Sequence, residues 1–309
     1  METQLPAALL ELIDNPKTTD ICLSAQLVEA DLGSGLSVID QLSFSEEEIS
    51  ALARQLIEVG GRRLDQANPF ADVSLPGGLR VHAVLKSACS DKTLISIRLH
   101  STEAIPLEQL LSKDFANPAQ KELIQEIAVS GQSVLITGAT GTGKTTLLRS
   151  MLSGSNERVI AVEDVTELTG PNIICLQTKP QNIEGQGEIT LDDLVRQALR
   201  MRPDRICIGE VRGKELISML QALNTGHRGA TTLHANSLEQ VPERLISIAS
   251  SQGLGTRALA RLVPSAFDYV IALVASGGTR RVSGIGRFSV RENELRVDSI
   301  LRTRKLALA

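Results

Sequence analysis

Apolar residues in the second part of the chain follow two alternating spacings. Short runs of four or five residues recur at 133–137 (SVLIT), 158–162 (RVIAV), 173–176 (IICL), 205–209 (RICIG) and 230–233 (ATTL). Such runs suit strands buried on both faces. Between them, apolar residues three and four apart predict helices over 144–152, 190–201 and 214–224. The middle one is the best marked. Thr190 and Asp193 form a capping pair, and Leu191, Leu194, Val195, Ala198 and Leu199 share one face. Pro242 fits the first turn of a helix ending near Ser251. From Phe267 the pattern reads as strands with a basic turn at Thr279-Arg280-Arg281. Alternation of strand and helix predicts an α/β domain over 118–309, with a parallel sheet covered on both faces.

The first hundred residues read differently. Ser45-Glu46-Glu47-Glu48 is a capping box, followed by Ile49, Leu52, Ala53 and Leu56 at helical spacing; Phe44 and Ile49 can form a staple. Gly60-Gly61 ends that helix. Strand-like runs follow at 71–75, 79–85 and 93–99, with Pro76-Gly77-Gly78 as the turn between the first two. A small α+β domain is expected over 1–102. Residues 103–117, with a proline and a change of pattern, are expected as a linker.

The 133–137 run leads into Gly138-Ala139-Thr140-Gly141-Thr142-Gly143-Lys144-Thr145-Thr146. This fits the phosphate-binding loop G-x-x-x-x-G-K-[ST]. A glycine-rich turn lets successive backbone N–H groups converge on phosphates, the lysine adds charge at the β/γ positions, and the hydroxyl of Thr145 can ligate Mg²⁺. The strand before and the helix after put the loop at a helix N-terminus, which favours anions. A plain flexible Gly/Thr loop would not need both flanks.

Composition narrows the partners. Net charge is -4 and pI about 5.7, so no global basic excess draws nucleic acid or an acidic membrane surface. Aromatics are 2%, with Tyr269 the single tyrosine and no tryptophan, a poor supply for stacking bases. Cys22, Cys89, Cys175 and Cys207 are scattered, which suits reduced thiols rather than disulfides or zinc. No apolar run approaches the ~20 residues of a membrane span. The opening METQLPAALLELID has acids and a proline where a signal peptide needs basic and continuous apolar residues. A cytoplasmic location is expected, with any membrane association through a partner.

Three further segments offer polar chemistry. VIAVEDVTEL (159–168) delivers Glu163, Asp164 and Glu167 at the end of a strand, where open α/β sheets bind ligands. RICIGEVRG (205–213) ends in Gly209-Glu210, with glycine where an acidic Mg²⁺-assisting residue usually stands. NTGHRGATTLHANS (224–237) carries His227 and His234, a weak pattern for a metal and a better one for a hydrogen-bonding sensor near a phosphate.

In this order, with RMRPD ahead of the Gly-Glu strand and the N-terminal strings LDQANPFADVSLPGGLRVHAVL and SIRLHS, these segments resemble the ATPases of type II and type IV secretion and type IV pili. That family shows a P-loop, an acidic box, a Walker B ending in Gly-Glu and a histidine box. Within that family they look like the tight-adherence pilus ATPases. The resemblance spans roughly residues 60 to 250 and implies a RecA-like P-loop domain, ATP and Mg²⁺ as ligands, and a homohexamer. It further implies a polytopic platform protein at the inner membrane and pilus assembly or protein secretion as the output. By role, it implies Lys144 and Thr145 on phosphates and Mg²⁺, Glu163 as general base, Glu210 positioning water and the Mg²⁺ shell, and His234 sensing the γ-phosphate. Arg80 and Arg98 match arginines that reach the nucleotide. The KSACSDK loop lacks the Pro-Pro often found there, and no four-cysteine zinc module is present. No direct nucleic-acid contact is expected. A conjugation-type nucleic-acid translocase is the alternative, and a nucleotide-gated scaffold without turnover a third reading.

Overall fold

The computed structural model describes residues 5–33, 35–75, 77–87, 89–99, 104–111, 114–179, 181, 187–276 and 279–302. The first four residues, Pro76 of the expected turn, Ala88 of the KSACSDK loop, His100 and Ser101 of the SIRLHS string and part of the 103–117 segment lie outside them. The chain divides into two compact units, Met1–Thr102 and Glu103–Ala309.

The first unit is an antiparallel six-stranded sheet, in spatial order β3-β2-β1-β6-β5-β4. The strands are β1 (Asp20–Ser24), β2 (Leu27–Asp31), β3 (Leu36–Val38), β4 (Phe70–Leu75), β5 (Leu79–Val84) and β6 (Leu94–Leu99). Alternate residues such as Ile21, Ile97, Val81 and Val73 are buried, forming one core with helices α1 (Ala7–Asp14) and α2 (Glu46–Val59). The capping box forms as its spacing predicts: Ser45 Oγ accepts from the Glu48 amide at 3.2 Å, and the Glu48 carboxylate accepts from the Ser45 amide at 2.8 Å. No strand is expected from the sequence before residue 71, yet β1 and β2 bury two alternate residues each, as β4, β5 and β6 do, and β3 buries none.

The second unit carries an eight-stranded sheet in the order β14-β13-β12-β7-β11-β10-β8-β9. Its elements are α3 (Leu107–Leu111), α4 (Pro118–Ser130), β7 (Val134–Thr137), α5 (Lys144–Ser153), β8 (Val159–Glu163), β9 (Ile173–Gln177), α6 (Leu191–Ala198), β10 (Arg205–Ile208), α7 (Glu215–Asn224), β11 (Arg228–Leu233), α8 (Val241–Ser251), α9 (Thr256–Ala266), β12 (Tyr269–Ser276), β13 (Thr279–Arg291) and β14 (Glu294–Arg302). Pairing is parallel from β12 through β9 and antiparallel for β13 and β14. Successive strand residues feed opposite cores. Ile160, Val162, Ile206 and Ile208 pack with α6–α9, whereas Val159, Ala161 and Cys207 pack with α4 and α5.

Two further features differ from the sequence reading. The 103–117 segment, expected as a linker, includes α3 and contributes Leu111 and Phe115 to the α5-side core. Thr279-Arg280-Arg281, expected as a turn, opens β13, with Arg280 opposite Ala275 and Arg281 opposite Val274. The pairing partner on β12 supplies the backbone bonds that a local reading assigns to a turn. No helix among the described residues is long and apolar enough to cross a membrane.

Candidate functional site

The site lies at the carboxyl ends of the parallel strands, where four consecutive strands each deliver a segment. β7 leads into the glycine loop, β11 into His234, β10 into Gly209-Glu210, and β8 ends on Glu163. Gly143, directly before α5, has the left-handed φ of 91° that the loop needs to enter the helix. The Thr142 hydroxyl donates to the Ala139 carbonyl at 2.8 Å and ties the loop to itself.

Lys144 is buried, and its Nζ donates to the Gly138 and Ala139 carbonyls at 3.0 Å each. Its third contact is His234 Nδ1 at 3.2 Å. His234 Nε2 lies 3.1 Å from a Glu210 carboxylate oxygen. An ammonium can only donate. His234 therefore accepts at Nδ1 and donates its Nε2–H to Glu210, as a neutral imidazole of one tautomer. Burial, then the Lys144 charge, holds the His234 pKa below its usual value. Burial likewise lowers that of Lys144, against the pull of Glu210. Glu210 is also desolvated, but its bond to Arg212 and the nearby cations keep its carboxyl below the usual range. Arg212 continues the chain, donating to Glu210 at 2.8 Å and standing 3.9 Å from Asp164. Beside Ala139, Thr140 and His234 opens a cavity of about 540 Å³, also lined by Asn236, Gln240 and Arg244.

Glu163 is held differently. It is 4% exposed, and one carboxylate oxygen accepts from the backbone N–H groups of Glu167 and Leu168 at 3.1 and 3.0 Å. Burial raises its pKa to about 7 in spite of those bonds. Its carboxylate lies over Gly209 of the adjacent strand end: a Cβ there would stand 3.0 Å from Glu163 Cγ and Oε1. The glycine that departs from the usual Walker B thus makes room for an acid supplied by the neighbouring strand.

The other expected residues sit on other elements. His227 meets the Ala222 carbonyl at 3.2 Å, at the C-terminal end of α7, and precedes β11, the end opposite His234. Among the described residues no group of three or more His, Cys, Asp or Glu is placed to hold a metal. Arg80 and Arg98 belong to the first unit and stand directly opposite each other on β5 and β6, Arg98 paired with Asp20 at 3.0 Å. Arg212 carries no role in the motif reading, although a strand exit places residues two apart, here Glu210 and Arg212, on the same side. Thr137 and Thr232 were also missed. Their hydroxyls donate to the Ala235 and Gly209 carbonyls at 3.0 and 2.7 Å, fastening the histidine segment to the strands on either side.

A glycine loop at a strand-to-helix turn, with one strand between it and the acidic strand of a mixed α/β sheet, defines a P-loop nucleoside triphosphatase of RecA-like fold. The chain belongs to the type II/IV secretion system protein family, whose model matches residues 40–276. Among relatives, a Mycobacterium tuberculosis protein assigned to conjugal transfer is 38% identical over 97% of this chain and 89% of its own length. The type IV secretion system protein PtlH of Bordetella pertussis is 31% identical, over 77% of this chain and 80% of that one. Two crystal structures share the fold. The pilus retraction motor PilT, with bound ADP, aligns with a TM-score of 0.65 at 21% identity, over 96% of this chain and 83% of that one. The ATPase DotB of Legionella pneumophila gives 0.62 at 22%, over 93% and 82%.

Proposed function

We propose that this protein is a Mg²⁺-dependent ATPase that couples hydrolysis to pilus assembly or protein secretion, acting as a homohexamer. It works at the cytoplasmic face of the inner membrane, bound to a polytopic platform protein of a tight-adherence type machine. The carrying observation is the chain Lys144–His234–Glu210 across three adjacent strand ends. Among the described residues its lysine is occupied by two loop carbonyls and a neutral imidazole, partners that an incoming triphosphate outcompetes.

ATP binding draws Lys144 onto the phosphates and vacates His234 Nδ1, which takes up a proton from solvent beside the phosphate charge and donates it to the γ-phosphate while Nε2–H stays on Glu210. Residues Gly138 to Thr146 supply the converging amides. The residues fit Mg²⁺ as well. Thr145 carries a hydroxyl in the first turn of α5 without a protein hydrogen bond among the described residues, and Glu210 would reach the ion's shell through water. The lack of a multi-carboxylate cage among those residues suits an ion that keeps its waters and phosphate oxygens. When bound, Mg²⁺ neutralises charge on the phosphate oxygens. Glu163, poised at about 7, takes the proton of the attacking water, a task that needs a base near the working pH. Arg80 and Arg98, supplied by the N-terminal domain (1–102) to the ATPase domain (118–309), stabilise the charge that develops at the γ-phosphate.

Glu210→Gln tests this reading. It should bind Mg-ATP with near wild-type affinity while turnover drops more than about 100-fold, and full turnover would sink the assignment. The trapped variant, purified from native membranes, should retain a polytopic membrane protein and pilin-like subunits. The conjugal-transfer assignments of relatives favour one other reading, a motor for DNA transfer. DNA-stimulated hydrolysis with a steep salt dependence would establish it instead.

A further inference from the structure

The β12–β13 hairpin overhangs the phosphate loop. β12 pairs with β7 only as far as Ala272 opposite Thr137, then runs on beside the loop. Its Leu273 carbonyl would lie 2.8 Å from a Cβ at Gly138. β13 returns antiparallel with Arg280 opposite Ala275. Alternation puts Arg280 on the same face as Val282, and Val282 is buried with Leu147 and Leu148 of α5. Arg280, two residues nearer the hairpin end, therefore reaches past the start of that helix. Its Cδ lies 3.7 Å from where a side chain on Gly143 would begin.

This is an unfavourable place for a free cation. The N-terminus of a helix carries partial positive charge, and Lys144 is the next residue. Arg280 is exposed, and its guanidinium takes no hydrogen-bond or ion-pair partner among the described residues. Three other arginines at the ends of β13 and β14 are matched, Arg291 to Asp298, Arg296 to Glu294 and Arg302 to Glu239, whereas Arg281, on the opposite face of β13 from Arg280, is unpaired among the described residues. A guanidinium left unpaired over a phosphate cradle, on a hairpin clamped beside it, calls for an anion.

We infer that Arg280 is a further nucleotide-binding residue, its guanidinium meeting the α/β-phosphate end of the bound nucleotide where α5 begins. The inference rests on the nucleotide site assigned above and adds a contact from outside the known motifs. The experiment is titration of ADP and ATP into wild type, Arg280→Ala and Arg280→Lys. Affinity for both nucleotides should fall about tenfold in Arg280→Ala. Arg280→Lys should recover part of the loss, and the thermal midpoint without nucleotide should stay unchanged. An affinity within twofold of wild type would overturn the contact. So would a loss confined to ATP, which would put the guanidinium at the γ-phosphate. Wild-type affinity alone reports on the nucleotide site, and the ratio of variant to wild type alone reports on Arg280.

Discussion

The parallel sheet has a charged cluster at each edge, and the two behave in opposite ways. At the amino edge, Glu157 receives Arg205 at 2.7 Å and Arg228 at 3.3 Å, while Arg205 also donates to the Gln132 carbonyl at 3.0 Å. Glu157 is desolvated, yet the Arg205 bond and charge keep its carboxyl below the usual range. Every charge there is answered from within the chain, and the cluster ties β8, β10 and β11 at their starts. At the carboxyl edge, Lys144 is bonded to no carboxylate among the described residues and rests on carbonyls and an imidazole beside an open cavity. A closed ion cluster holds a fold together, whereas an electrostatically incomplete one holds a place for a ligand.

The comparison breaks if the two edges respond alike to mutation. Lys144→Ala should have the largest effect on function. Nucleotide binding should fall by more than about 100-fold with the unfolding midpoint unchanged, as read by parallel nucleotide titration and denaturation. Glu157→Ala should do the reverse. It leaves Arg205, 4% exposed, without its partner, which should cost about 3–5 kcal/mol in urea unfolding. The folded fraction should bind nucleotide normally. Lost affinity in that fraction would show the edges to be coupled.

Two smaller effects sharpen the difference. Glu163 has a folded pKa of about 7, above the 4.5 of a free carboxyl. The folded state then binds the extra proton between those values, so stability falls as pH rises through that window and the contribution is gone above pH 7. Glu163→Gln should remove this dependence, with a gain on the order of 3 kcal/mol at most above pH 7, while lowering turnover. A flat pH–stability difference between the two proteins would contradict the buried, raised carboxyl. Gly209→Ala should displace the Glu163 carboxylate by its added methyl and reduce kcat about tenfold with nucleotide affinity retained. Unchanged kcat would separate Glu163 from the chemistry.

Much of the site was legible because its constraints are local. The glycine loop is a spacing rule about backbone amides within nine residues, and the capping pairs at Ser45/Glu48 and Thr190/Asp193 are contacts within one turn. Both appear in the structure where the spacing predicts them. The role of Gly209 was not legible. Along the chain it reads as a missing acid, and only the pairing of β8 with β10 places Glu163 above it. Arg280 looked like a turn residue for the same reason, since its strand partner comes from β12. Arg212 sits inside a known motif, yet the Glu210 and Asp164 it bridges come from two strands.

The sequence alone determined the central strands and helices around the phosphate loop, the loop itself and the acids and histidine available to it, because apolar period, caps and glycine spacing act over a few residues. Only the tertiary structure decided which of these groups meet. By inserting β11 between β7 and β10, the fold puts His234 between Lys144 and Glu210. It also leans Glu163 over a neighbouring strand. Strand order is set by how whole faces bury against the helices on either side, a balance that no short stretch of chain contains.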